Sequence, residues 1–126
     1  MRVFKLPAFA RFARREGITD RRLAEAISLL EQGLVDADLG GGLVKQRIAR
    51  PGKGKSGGFR TVIAYRQGRR AVFLFGFAKS ERDNLSLIQL ADLKRTAADV
   101  LKRGDANIAK DLQSGDLQEV RYGEDA

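Results

Sequence analysis

"FRTVIAYRQGRRAVFLFGFA", residues 59–78, is the stretch whose reading decides the fold. Its first half alternates: Phe59, Thr61, Ile63 and Tyr65 point one way, and Arg60, Val62, Ala64 and Arg66 the other. Gln67-Gly68 then supplies a tight hairpin turn. The second half, "RAVFLFGF" (70–77), is apolar on both faces, as a central strand covered on two sides would be.

Working upstream, "LVKQRI" (43–48) reads as a third strand. Leu43, Lys45 and Arg47 form a wet face against Val44, Gln46 and Ile48. "DADLGGG" (36–42) reads as a turn, because three glycines hold regular structure poorly. Before it, Leu23, Ile27, Leu30 and Leu34 repeat at spacings of four, three and four, one apolar helical stripe. Thr19 N-caps this helix and Ile18 staples onto Leu23. An earlier helix opens at Pro7, buries Phe9, Phe12 and Ala13, and ends at Gly17, so the two form a helical hairpin. "RVFKL" (2–6) makes a short first strand.

Downstream, Ser80 caps a long helix from Glu81 to about Arg103, with Asp83 reaching back as a capping-box variant. Its buried stripe is Leu87, Leu90, Leu93, Ala97, Val100 and Leu101, and Gly104 stops it. A short helix capped by Asp105 and an edge strand at "DLQEV" (116–120) are expected to follow, then a loose "RYGEDA" (121–126). The fold class is therefore α+β: an antiparallel sheet with helices on one side, packed by an N-terminal helical hairpin and a C-terminal helix. Residues 1–103 form the main domain and 104–126 a C-terminal extension.

Composition narrows the chemistry. The 126 residues include no Cys and no His, which removes disulfides, thiolate metal sites and the usual general base at neutral pH. No pattern calls for a metal or an organic cofactor. No apolar run approaches a membrane span, and charge interrupts the N-terminal residues where a signal peptide needs an apolar core. A cytoplasmic protein with no membrane partner is the expectation. Net charge is +8, and all the excess sits in the middle third. Residues 44–82 hold eleven Lys or Arg against one acid, Glu81, a balance of +10; the rest of the chain balances to −2. Clustered like charge costs self-repulsion, so a polyanion is the natural partner.

The densest part is "ARPGKGKSGGFR" (49–60), a bendable glycine loop carrying Arg50, Lys53, Lys55 and Arg60. Its "GKGKS" lacks the spacing of a nucleotide-binding P-loop, and a strand rather than a helix follows it. With Arg47 and Arg66 from the hairpin, and Lys79 and Arg82 at the expected start of the last helix, these cations are expected to share one concavity. Such a cluster binds RNA and can also cleave it. Arg stabilises a phosphorane through its bidentate fork, and a Lys crowded by cations loses a proton near neutrality. Internal attack by a 2′-hydroxyl needs no metal.

"RPGKGKSGGFR" (50–60), "GRRAVFLFGFAKSERDNL" (68–85) and "LADLKRTAADVL" (90–101) together resemble the RelE/HigB group of bacterial type II toxins, in the RelE/ParE superfamily. The resemblance spans roughly residues 1–103, and S-G-G-F-R with F-A-K-S-E-R-D-N carries most of its specificity. It implies an mRNA endonuclease acting in the A site of the 70S ribosome. A small helix-turn-helix antitoxin would neutralise it, and the pair would bind operator DNA. It also implies roles. Arg60 matches the family's strand arginine, Arg82 its arginine at the last helix, Lys53 and Lys55 its acid–base residues, and Lys79 the lysine before that helix. On this reading Lys53, Lys55, Arg60 and Arg82 are catalytic, and Arg47, Arg50, Arg66 and Lys79 bind RNA. The tyrosine that one branch uses a few residues into the last helix is absent: "RDNLSLIQL" (82–90) has Ser86 there. Two other functions stay open, a ParE-type gyrase poison and a non-catalytic RNA-binding module.

Overall fold

The computed structural model describes residues 1–50, 58–79 and 84–121. Its elements run β1 (Arg2–Lys5), α1 (Pro7–Glu16), α2 (Asp20–Glu31), β2 (Ala37–Gly40), β3 (Leu43–Ile48), β4 (Phe59–Arg66), β5 (Arg70–Ala78), α3 (Leu87–Lys102), α4 (Asp105–Ser114) and β6 (Gln118–Glu119). The α+β class is as expected, with one sheet packed by an N-terminal helical hairpin and a C-terminal helix. The six strands lie in the order β2-β3-β4-β5-β1-β6.

The sheet is mixed rather than antiparallel, because β1 runs parallel to β5, Val3 beside Ala71. The reason lies in "ADLG", which is a strand and not part of a turn. Ala37, Asp38 and Gly40 pair with Lys45, Val44 and Leu43, and only Gly41 and Gly42, at φ of 64° and 82°, make the turn. Helices α1 and α2 return the chain to the end of the sheet it left, so β2 runs opposite to β1. Three reversals later β5 runs parallel to it.

Helices cover both faces, not one. On the first, Phe9, Phe12, Leu23, Ile27 and Leu30 pack against Val3, Val44, Phe59, Ile63 and Phe73. Phe9 stacks on Phe73 at 5.0 Å, and Phe12 meets Phe59 edge-on at 5.7 Å. On the second, Ala97, Val100 and Leu101 of α3 cover Leu43, Val62, Ala64 and Val72. Leu43 is thus buried beneath α3, not part of a wet face. Leu34 lies beyond α2 and is exposed. A bulge at Val62/Ile63 against β5 lets Gly76 return to the first face. There a Cβ would fall 2.4 Å from the Phe12 ring.

Helix α3 starts at Leu87, six residues later than expected. Ser86 accepts from the Gln89 N–H at 3.1 Å, and the Gln89 side chain accepts from the Ser86 N–H at 3.2 Å, a complete capping box. Leu87 is consequently 85% exposed, and the buried stripe begins at Leu90. Ser80 and Asp83 lie outside the described residues. Helix α4 has Gly104 as its N-cap, with Asp105 its first residue rather than its cap. From residue 104 on, Ile108 and Leu117 enter the α3-face core and Val120 the other. Strand β6 closes on β1, where Glu119 takes both arms of Arg2 at 2.9 and 3.0 Å. No helix among the described residues is long and apolar enough to cross a membrane.

Candidate nucleic-acid interface

Register builds the site. Antiparallel pairing of β3 with β4 sets Arg47 directly opposite Arg60, and β4 with β5 sets Arg60 opposite Phe77. Side chains paired across strands share a face, and alternation from Val62 and Ala64 assigns these three to the α3 face. Lys45, opposite Val62, continues the basic row. Two arginines facing each other across a ladder repel, with Cβ atoms about 5 Å apart. Such a pair has no rationale in sheet stability and a good one in anion binding.

Arg60 is the unusual member. Its Nη1 is buried and has no hydrogen-bond partner among the described residues. A buried, unsatisfied donor costs about 1–3 kcal/mol, and the cost is larger on a charged group. The Phe75 and Phe77 rings lie beside this end of the sheet, 6.0 Å apart and tilted by 40°. Phe77 is buried, which makes it a wall rather than a stacking platform.

The other expected residues divide. Lys79 follows β5 at this same end; its N–H donates to the Gly58 carbonyl at 3.2 Å and its side chain is exposed. Arg47 is half-buried, and its backbone N–H donates to Asp36 Oδ2 at 2.6 Å. Arg50 lies 5.6 Å over the Phe59 ring, a cation–π contact with a residue of the opposite, α1–α2 face. Arg66 pairs with Arg70 at the far end of the hairpin. It lies six residue steps along β4 from Arg60, about 20 Å at the rise of an extended chain. Register therefore sets Arg47, Arg60 and Lys79 at one end of the β3-β4-β5 ladder and Arg66 at the other. Lys53, Lys55 and Arg82 lie outside the described residues. The helix N-terminus expected next to Lys79 is displaced to Leu87.

Tyr65 belongs to the fold. Its hydroxyl donates to Glu31 Oε2 on α2, and burial, then that hydrogen bond and the carboxylate charge, push the phenol above its ordinary pKa. Arg70, next to the hairpin tip, reaches under α3. Its Nη1 donates to the Val100 and Arg103 carbonyls at 2.7 and 2.8 Å. It thereby satisfies carbonyls that the end of an α-helix leaves open. Gln46 was unforeseen as a buried polar side chain. Its amide donates to the Ala26 and Leu34 carbonyls at 3.3 and 2.9 Å and accepts from the Asp36 N–H at 3.1 Å.

Chemically, the row can grip one phosphodiester. A guanidinium with an unused donor can add a hydrogen bond as charge builds on a non-bridging oxygen, and Lys79 and Arg47 can hold the neighbouring phosphates. On this face β6 contributes one carboxylate, Glu119 opposite Phe4, and Arg2 holds it at 2.9 and 3.0 Å. The profile described as the RelE toxin of the RelE/RelB toxin–antitoxin system matches residues 1–120. A search of curated proteins finds no match to the chain.

Proposed function

The chain belongs to the RelE toxin family, and from that premise we propose that it is an endoribonuclease that cuts mRNA on the ribosome and so stops translation. Membership carries an antitoxin partner, and the neutralised pair would bind operator DNA through the antitoxin. The reaction is internal attack of the 2′-hydroxyl on its own phosphate, without a metal. The O–P bond forms as the 5′-oxygen leaves, and negative charge peaks on the non-bridging oxygens. Arg60 stabilises that charge. Arg47 and Lys79 hold the strand, while Arg82, Lys53 and Lys55 complete the site, the lysines moving protons. The cell compartment is the cytoplasm, where ribosomes are.

One observation carries this reading: the buried Nη1 of Arg60, without a hydrogen-bond partner among the described residues, on a strand position directly opposite Arg47. A native fold tolerates such a donor where a ligand completes it. The test is to map mRNA 5′ ends after brief expression, in the wild type and in Arg60→Ala. New ends within translated codons, lost in the variant, are expected. Growth arrest with intact mRNA and DNA breaks would instead assign a gyrase poison, and neither effect would leave an RNA-binding module.

A further inference from the structure

A second cationic site lies at the other end of the molecule. Where the β4–β5 hairpin tip meets the end of α3, a cavity of about 480 Å³ is lined by Arg66, Arg69, Arg70, Lys102, Arg103 and Asp105. Two of its five cations are already committed. Arg70 is spent on the Val100 and Arg103 carbonyls, and Arg103 is held by Asp111 at 2.6 and 3.0 Å. Arg66, Arg69 and Lys102 make no side-chain hydrogen bond or ion pair among the described residues. Asp105, fully exposed on the rim, reaches only Arg70 at 3.4 Å. The negative end of the α3 dipole, which opposes an anion here, is blunted because Arg70 occupies two of its last carbonyls.

The walls are fixed before any ligand arrives. Glu31 takes the Tyr65 hydroxyl and the Gly68 N–H, pinning the hairpin tip to α2. Arg70 pins the same tip to α3. The lining is cationic, with Leu101 its apolar member and no aromatic ring to stack a base. That combination suits a backbone and not a nucleobase. We propose that this cavity is a second nucleic-acid site, separate from Arg60, in which Arg66, Arg69 and Lys102 grip the phosphodiester backbone of a single strand without reading its sequence. The proposal does not require the chain to cleave RNA.

The experiment measures binding of a labelled 2′-O-methyl RNA, which internal attack cannot cut, and of a DNA of equal length, as salt is varied. The full-length wild type is compared with the triple variant Arg66→Gln, Arg69→Gln, Lys102→Gln. Each lost contact to a single strand lowers the steepness of log K against log salt by about 0.7. Three lower it by about 2, or about a hundredfold in affinity at 0.1 M salt, for both strands. Because none of the three side chains has a hydrogen-bond or ion-pair partner among the described residues, the triple variant should melt with the wild type. Arg69→Gln alone should lose about 0.7 in slope. Unchanged affinity and slope in the triple variant would overturn the proposal. So would displacement of either strand by micromolar inorganic phosphate, which marks a small-anion site. Arg60→Gln, whose failure bears on the cleavage reading alone, should keep the contribution of all three residues.

Discussion

Replacing Arg60 with Met separates what the fold wants from what the site wants. In the wild type Arg60 stands between Arg47 and Phe77 in the strand ladder, its Nη1 buried and without a partner among the described residues. Removing it relieves an unsatisfied donor worth about 1–3 kcal/mol and a like-charge pair worth about 0.2–1 kcal/mol. Arg60 is half-exposed, so water already offsets part of that cost, and a net gain of about 1 kcal/mol is the expectation. For a domain of this size that raises the melting temperature by about 4 °C. Activity moves the other way. Losing one donor aimed at developing charge costs about 10²–10³ in rate. The assay pairs a thermal melt followed by circular dichroism with single-turnover cleavage of mRNA on programmed ribosomes. Arg60→Lys, which keeps the charge and loses the fork, should recover part of the rate. A variant that melts several degrees below the wild type would refute the reasoning, since Arg60 would then be a tie within the fold. Full cleavage at a raised melting temperature would refute the assigned role.

Other substitutions test how the scaffold positions this face. Gly76→Ala drives a Cβ to within 2.4 Å of Phe12 at a packed aromatic layer; overpacking of this kind costs about 1–3 kcal/mol, read as a lower denaturant midpoint with unchanged slope. Arg70→Met strips the hydrogen bonds to Val100 and Arg103. A charged donor is worth about 1.5–3 kcal/mol, and amide exchange should accelerate first in the last turn of α3. Tyr65 favours its neutral form in the fold, with its pKa raised by burial and by Glu31. Its contribution is therefore complete below the unfolded value of about 10 and fades as pH climbs through the folded one. Wild-type stability should fall above about pH 10 more steeply than that of Tyr65→Phe, measured by urea titration at each pH.

Where the sequence was legible, one local rule decided each element. Period-two alternation assigned β4 correctly, and Pro7, Gly17 and Thr19 marked the ends of the two helices. Failures came where two local signals competed. Residues 80–83 and 86–89 both offer a serine with a partner three positions on, Asp83 in one and Gln89 in the other. Nothing local says which box starts α3; packing chooses, because Leu90 is the first apolar residue of the helix that finds the sheet. The glycines of 40–42 hid β2, and one hidden strand changed the count of reversals and hence the direction assigned to β1. The candidate site was half visible. Alternation placed Arg60 among apolar neighbours, which was the usable signal, but its position opposite Arg47 follows from register, and register needs both strands.

Counting charge therefore locates an interface only after internal partners are subtracted. Arg60 and Arg70 lie on adjacent strands of one sheet, both half-buried, both within the same run of excess positive charge. Arg70 ends under a helix terminus whose open carbonyls accept its protons, and there it holds the fold together. Arg60 ends where, among the described residues, no carbonyl or carboxylate meets its Nη1. The same side chain is a brace in one place and an unfinished contact in the other, and only the second kind can be finished by a phosphate. By that criterion two separate groups stand out among the described residues, Arg60 with Lys79 at one end of β4, and Arg66 with Arg69 and Lys102 at the other. The two lie about 20 Å apart along the strand, and that separation is why substitutions at either end can be read independently.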